Sequence, residues 1–179
     1  EIRKLLDAKE KSLDPADPLA AFQICLEGGS ADTGRELFLT HAAGQCSKCH
    51  KLEGDGGIAG PDLTGVGSRH DRHYLLQSLV EPSAVVAQGY GITLVTLKTG
   101  ESLGGVLLRE TEKEIVLRLP DPAEAGREVE RTIPLAEIET RQPPVSAMPP
   151  MGYLLTKPEI RDLVEFLSSL RQDSAKKGH

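Results

Sequence analysis

The chain has 179 residues, a net charge of −6, 39 % hydrophobic and 27 % charged residues. That length suits one domain, or one domain carrying a small second unit, and the acidic balance argues against nucleic acid as a partner, because neutralising phosphates takes a basic face and the only basic run is the short "AKKGH" tail. No run of about 18 apolar residues occurs, so no membrane span is expected. Tryptophan is absent, with three phenylalanines and three tyrosines; something other than aromatic side chains is expected to fill part of the core.

Residues 1–29 read as an N-terminal helical extension. A polar helix runs to the break "DPADP", and a short apolar helix, "LAAFQICL", closes at Gly28 and Gly29. The first residues are charged and do not form a signal peptide, so export would imply a signal already removed or a fragment of a longer protein. Cys25, on the second helix, reads as a small buried hydrophobe. A helix from about Asp32 to Leu39 follows, capped by Ser30 or Asp32 and given an apolar face by Leu37 and Phe38. It leads into "GQCSKCHKLEGDGG".

Cys46, Cys49 and His50 form C-x-x-C-H, the pattern of covalent haem attachment. Each thiol adds to one vinyl group, and the adjacent histidine falls under the iron as an axial ligand. Two thiols used in this way leave Cys25 alone and resolve the odd count of three. A thioredoxin-like pair would want a βαβ context. A zinc site would want further ligands downstream, and none is spaced for it. Beyond the motif comes "GPDLTGVG", whose Pro61 carbonyl is a candidate acceptor for the second ring nitrogen of His50.

"HDRHYLLQSLVEPS" reads as a helix from about Asp71 to Val80, halted by Pro82. From Gly91 the period becomes alternating: "ITLVTL", "SLGGVLLRE", "EIVLRL", "REVERTI" and "PLAEIETR" are short strands separated by turn residues, the pattern of a small antiparallel barrel. Its seven Lys/Arg against ten Asp/Glu again disfavour nucleic acid. "PPVSAMPPMGYLL" is proline-rich and expected to be irregular. It holds both methionines, Met148 and Met151, outside any apolar helical stripe, so one of them is expected as the sixth iron ligand. "TKPEIRDLVEFLSSLRQ" is the best helix, with Thr156 and Glu159 as a capping box and Ile160, Leu163, Val164, Leu167 and Leu170 as one stripe.

Together these residues resemble a class I cytochrome c, in which a helix precedes C-x-x-C-H, a Gly-Pro loop supports the histidine and a Met-Pro loop precedes the last helix. The resemblance implies that Gly34 and Phe38 meet Leu163, Phe166 and Leu167, and that Met148, at the Met-Pro position, is the iron ligand in preference to Met151. The stretches "GRELF", "CSKCHKLEGDGGIAGPDLTGVG", "LLQSLVEPSAVVAQGY", "LKTGESLGGVL", "SAMPP" and "IRDLVEFL" are similar to the cytochrome c-like haem-binding domain of large multidomain proteins of Planctomycetes and Verrucomicrobia. The likeness covers about Gly34 to Leu170 and leaves residues 1–29 as the remnant of a neighbouring module.

The expectation is therefore an α+β chain: a mainly α cytochrome c-like haem domain in two parts, 30–90 and 143–171, with an inserted Sm-like or SH3-like β-barrel over 91–142 and a tail over 172–179. Its function is one-electron transfer through a single covalent haem c with His50 and Met148 as axial ligands, with no catalysis by this chain alone. Tyr90 is a candidate cofactor contact; Arg72, His70 and His73 are weaker ones. The expected partner is a redox protein with a basic docking patch, with the β insert as a docking surface and a periplasmic or otherwise extracytoplasmic location. The rival readings are a ligand-binding or sensor haem domain with an open sixth site, and a haem module serving a larger enzyme.

Overall fold

A computed structural model describes residues 17–124 and 126–171. The polar helix expected within residues 1–16 and the tail 172–179 lie outside the described residues. The chain divides into two compact units: Glu1–Glu81 with Pro150–His179, and Pro82–Pro149.

In the first unit, the stretch expected as a short apolar helix is a 3-10 helix, Ala20–Cys25. Short connecting segments commonly take this tighter i→i+3 turn. Cys25 is buried and its Sγ–H donates to the Lys157 carbonyl at 3.3 Å. Helix α1, Ala31–Thr40, starts where the Ser30 hydroxyl accepts the Thr33 N–H at 3.2 Å. Helix α2 is a single turn, Cys46–Cys49. The two-residue strands β1, Lys51–Leu52, and β2, Asp55–Gly56, pair antiparallel just beyond it. Helix α3, Arg72–Val80, is capped by Asp71, whose carboxylate accepts the Tyr74 N–H at 2.8 Å.

Helix α4, Lys157–Ser169, is the most strongly amphipathic helix among the described residues. At its start Glu159 Oε2 accepts both the Thr156 N–H and its hydroxyl at 2.7 Å. It buries Ile160, Leu163, Val164, Phe166 and Leu167; of the stripe that the apolar spacing predicts, Leu170 is the exception, lying just past the last helical turn as the C-cap and only half-buried. Helices α1 and α4 cross closely at Gly34: a Cβ there would collide with the Asp162 carbonyl and lie 2.7 Å from Phe166 Cβ. The glycine lets the backbones approach, and Phe38 then meets Phe166 with ring centroids 5.8 Å apart.

The second unit is an antiparallel sheet. Its strands are β3 (Gly91–Leu97), β4 (Ser102–Glu110), β5 (Glu114–Pro120), β6 (Glu128–Pro134), β7 (Ile138–Arg141) and β8 (Val145–Ser146). The order is β6-β5-β4-β3-β7, with β8 also on β3. Val95, Leu97, Ile115, Leu117, Leu119 and Ile133 make its core, the inward half of each alternating run.

This sheet is not the closed barrel the strand pattern suggests, because β6 and β7 do not pair. The run "PLAEIETR" opens as a 3-10 turn, Leu135–Glu137, leaving only four residues for β7, and those residues are used on the β3 edge. Strand β6 remains an edge carrying Glu128, Glu130 and Arg131, charges that discourage further pairing. Nor is the proline-rich stretch wholly irregular. Pro143 and Pro144 favour extended backbone, and the next two residues continue as β8, with Val145 opposite Ile92.

Candidate functional site

The site is built on one helical turn and the loop that folds back over it. Gln45 takes a left-handed conformation at φ 45° immediately before Cys46. Cys46 and Cys49 then occupy the first and last positions of α2, and the His50 N–H returns to the Cys46 carbonyl at 2.8 Å. All three cysteines are free thiols. Burial pushes the Cys46 thiol up, its own backbone N–H draws it down and Cys49 raises it further, so it is protonated near neutral pH.

His50 leaves the turn in extended conformation, and its Nδ1 lies 2.9 Å from the Pro61 carbonyl oxygen. A carbonyl can only accept, so Nδ1 carries the proton and donates. In the neutral ring this leaves the Nε2 lone pair free for a metal. Burial lowers the pKa of His50, with the Pro61 bond acting weakly in the opposite direction, which favours that neutral form.

Backbone contacts hold the loop in place. Gly57 N–H donates to the Ser47 carbonyl at 3.0 Å, Gly60 N–H to the Cys49 carbonyl at 2.8 Å, and Leu63 N–H to the Lys51 carbonyl at 2.9 Å. Cβ atoms at Gly56 and Gly57 would collide with the His50 and Lys48 carbonyls respectively. At Gly60 a Cβ would sit 2.6 Å from His50 Cε1 and 2.8 Å from Nδ1. Beyond Pro61, Arg69 donates to the Thr64 carbonyl at 2.7 Å and the Asp62 carbonyl at 3.1 Å, while the Thr64 N–H donates to Asp62 Oδ1 at 2.8 Å.

Cys46, Cys49, His50 and Pro61 therefore share one local arrangement. Met151 belongs to the same unit; it is 3 % exposed and opens a 3-10 turn, Met151–Tyr153, that packs on α3 and α4. Met148 and Tyr90 belong to the second unit. Met148 is half-buried and its N–H donates to Ser146 Oγ at 3.1 Å; Tyr90 is half-buried in a turn where its N–H donates to the Ala87 carbonyl at 3.1 Å. Arg72 is engaged elsewhere, donating to the Leu26 carbonyl and pairing with Glu165, both at 2.8 Å. His70 stacks on Tyr74 at 3.8 Å, and His73 is exposed. The sequence reading took Gly60 only as part of the Gly-Pro loop and missed Gly56 and Gly57; the glycine density of "GDGGIAG" is the signal that could have revealed a loop pressed against backbone.

Residues 31–94 match the family model described as Cytochrome c. The match supports a cytochrome c-like haem domain. With it come covalently bound haem c, a role in electron transfer as a carrier module and redox partners. The matched segment runs from α1 through the attachment turn and α3 into β3, short of both methionines and of α4. No curated protein matches the sequence. Among the described residues, no helix is long and apolar enough to cross a membrane.

Proposed function

We propose that this chain is a c-type cytochrome that binds one haem through thioethers at Cys46 and Cys49, with His50 as one axial ligand and Met148 as the other, Met151 being the alternative. The single observation that carries the reading is the Nδ1–H of His50 donating to Pro61 at 2.9 Å beside two free thiols. That hydrogen bond specifies the tautomer an iron ligand needs and orients the ring.

The residues fit the group. The thiols lie one helical turn apart and are unpaired, the imidazole has one nitrogen committed and one free, and Ile58, in the loop carrying Pro61, leaves an apolar side chain 79 % exposed. When bound, haem supplies a one-electron couple. The chain's own part is to hold the axial imidazole, fix its tautomer and place the thiols. Methionine sulfur as the sixth donor would favour the ferrous state and raise the potential. Tyr90 is proposed as a cofactor contact. The two segments 30–90 and 143–171 are proposed to form the haem domain, with 91–142 as an insert available for docking.

Thioether attachment implies a periplasmic or otherwise extracytoplasmic site. The net charge of −6 suits a partner with a basic patch and salt-sensitive association. The proposed likeness to the haem-binding domains of large multidomain proteins rests on the stretches quoted above, and it suggests a module within a larger dehydrogenase-type protein.

The test is maturation in a host with the attachment machinery, followed by mass spectrometry and a pyridine haemochrome. One haem per chain with both thioethers is expected; a colourless product of bare polypeptide mass would sink the proposal. Resistance of the reduced protein to carbon monoxide is expected for a filled methionine site, and ready binding would mean an open sixth position instead.

A further inference from the structure

His41 occupies a position that haem attachment does not explain. It ends α1, its N–H donating to the Leu37 carbonyl at 3.0 Å, and it opens the loop that delivers Cys46. Its ring is half-buried and makes two contacts. Nδ1 accepts the Gly44 N–H at 3.0 Å, so in the neutral ring the proton lies on Nε2, which faces Glu159 Oε1 at 3.5 Å. Glu159 is itself fixed at the start of α4, its other oxygen accepting from Thr156. The His41 carbonyl takes the Gln45 N–H at 3.0 Å.

These bonds converge on a strained residue. Gln45 has φ 45°, a left-handed conformation that disfavours a side chain, and it immediately precedes Cys46. Such a conformation persists when its surroundings over-determine it. Here the Gln45 main chain is held by the His41 carbonyl and by the Lys48 N–H at 3.0 Å, and its side-chain amide donates to the Ala42 carbonyl at 2.9 Å; the contribution specific to the His41 side chain is the ring, which bonds the adjacent Gly44. A Cβ at Gly44 would lie 3.4 Å from the His41 ring and 3.6 Å from Cys46 Sγ, so the ring and the thiol close on the same glycine.

We infer that His41 is a positioning residue for the haem-attachment turn, anchored to α4 through Glu159 and holding Gln45 left-handed so that Cys46 enters the turn in register. The inference rests on the proposed function only for what the turn presents; the local geometry stands without it.

The experiment is amide hydrogen exchange on the matured protein, with reduction potential as the functional readout. His41→Ala keeps the main-chain bond from Gln45 and loses the ring's bonds to Gly44 and Glu159; exchange at Gly44 and Gln45 then rises about five- to thirtyfold, the population change expected when a left-handed non-glycine loses part of its support, while α3 is unchanged. The midpoint potential falls, because a loosened loop beside Cys46 admits water and solvent exposure favours the ferric state. His41→Asn, which can offer an acceptor to the Gly44 N–H, recovers part of the protection. The combined His41→Ala and Gln45→Gly variant recovers the Gln45 protection and the potential, since glycine relieves the strain that His41 offsets.

Unchanged exchange at Gly44 and Gln45 in His41→Ala overturns the inference. So does a rise shared equally by α3, or a combined variant no better than His41→Ala alone. Wild-type protein that carries no haem sinks the proposed function instead, and the exchange comparison then decides the present inference on the bare chain.

Discussion

Replacing Gly60 by alanine tests the arrangement on which the site depends. The new methyl would lie 2.6 Å from His50 Cε1, 2.8 Å from Nδ1 and 3.0 Å from Nε2, against about 3.5–4.0 Å for comfortable carbon contacts. Relief requires the ring to move by roughly 1 Å, and that movement breaks the 2.9 Å bond to Pro61. Overpacking of this kind costs about 1–3 kcal/mol, and a lost hydrogen bond adds about 0.5–1.5 kcal/mol. Together they predict a loss of about 2–4 kcal/mol from a total stability on the order of 5–15 kcal/mol. Guanidinium unfolding of the matured protein, followed by visible absorption and circular dichroism, measures it. A redox titration run alongside should show a shifted potential, because the ring no longer donates to Pro61. Gly28→Ala is the control: its φ of +79° makes it strained, but it faces open space, so it should lose about 1 kcal/mol without moving the potential. A Gly60→Ala protein as stable as wild type with the same potential would refute the reasoning.

Three further outcomes are expected. Gly34→Ala gains helix propensity of about 1 kcal/mol but forces α1 from α4 and disturbs the Phe38–Phe166 pair, for a net loss of about 1–3 kcal/mol in denaturant unfolding. Cys25→Ser leaves two thioethers per haem by mass spectrometry, whereas Cys46→Ser leaves one. The Thr156 backbone N–H, first, and its hydroxyl hold the Glu159 carboxylate below its ordinary pKa, with His41 adding to the effect. The folded state then binds that proton less readily than the unfolded state, so the associated stability is present above the ordinary carboxylate range and is lost as the pH falls through the depressed folded value. Thr156→Ala should cost about 0.5–2 kcal/mol near neutrality, and the gap from wild type should narrow on acidification.

Helices α1, α3 and α4 were legible because their signals are local, whereas the single turn α2 was not expected. Ser30, Asp71 and Thr156 stand where caps are needed, and the apolar stripe of α4 recurs at helical spacing. The alternation after Gly91 likewise marked the strands. Barrel closure was not legible, because whether β6 and β7 pair depends on how many residues the Leu135–Glu137 turn consumes, and periodicity does not count those. The same limit applies to Ala20–Cys25: apolar spacing suggests a helix and does not distinguish α from 3-10. At the site, the identities of Cys46, Cys49 and His50 could be read directly, and Pro61 followed from the need of an imidazole for an acceptor. Gly57, Gly60 and His41 could not, since their roles lie in distances to backbone atoms that a sequence does not display.

Three side chains carry the chemistry proposed for this site, but main-chain atoms set its geometry. Pro61 reaches His50 only because the loop lies against the backbone of residues 47–50, and it lies there only where no Cβ intervenes, at Gly56, Gly57 and Gly60. A carbonyl held in this way is a fixed acceptor that cannot titrate or rotate away, unlike a carboxylate. It specifies one tautomer of the neutral His50 ring. Pro61 also has no N–H of its own needing a partner in this half-buried loop. The arrangement therefore holds the imidazole in its metal-binding form without adding a charge beside it, which suits a centre whose iron must change charge by one with little rearrangement around it.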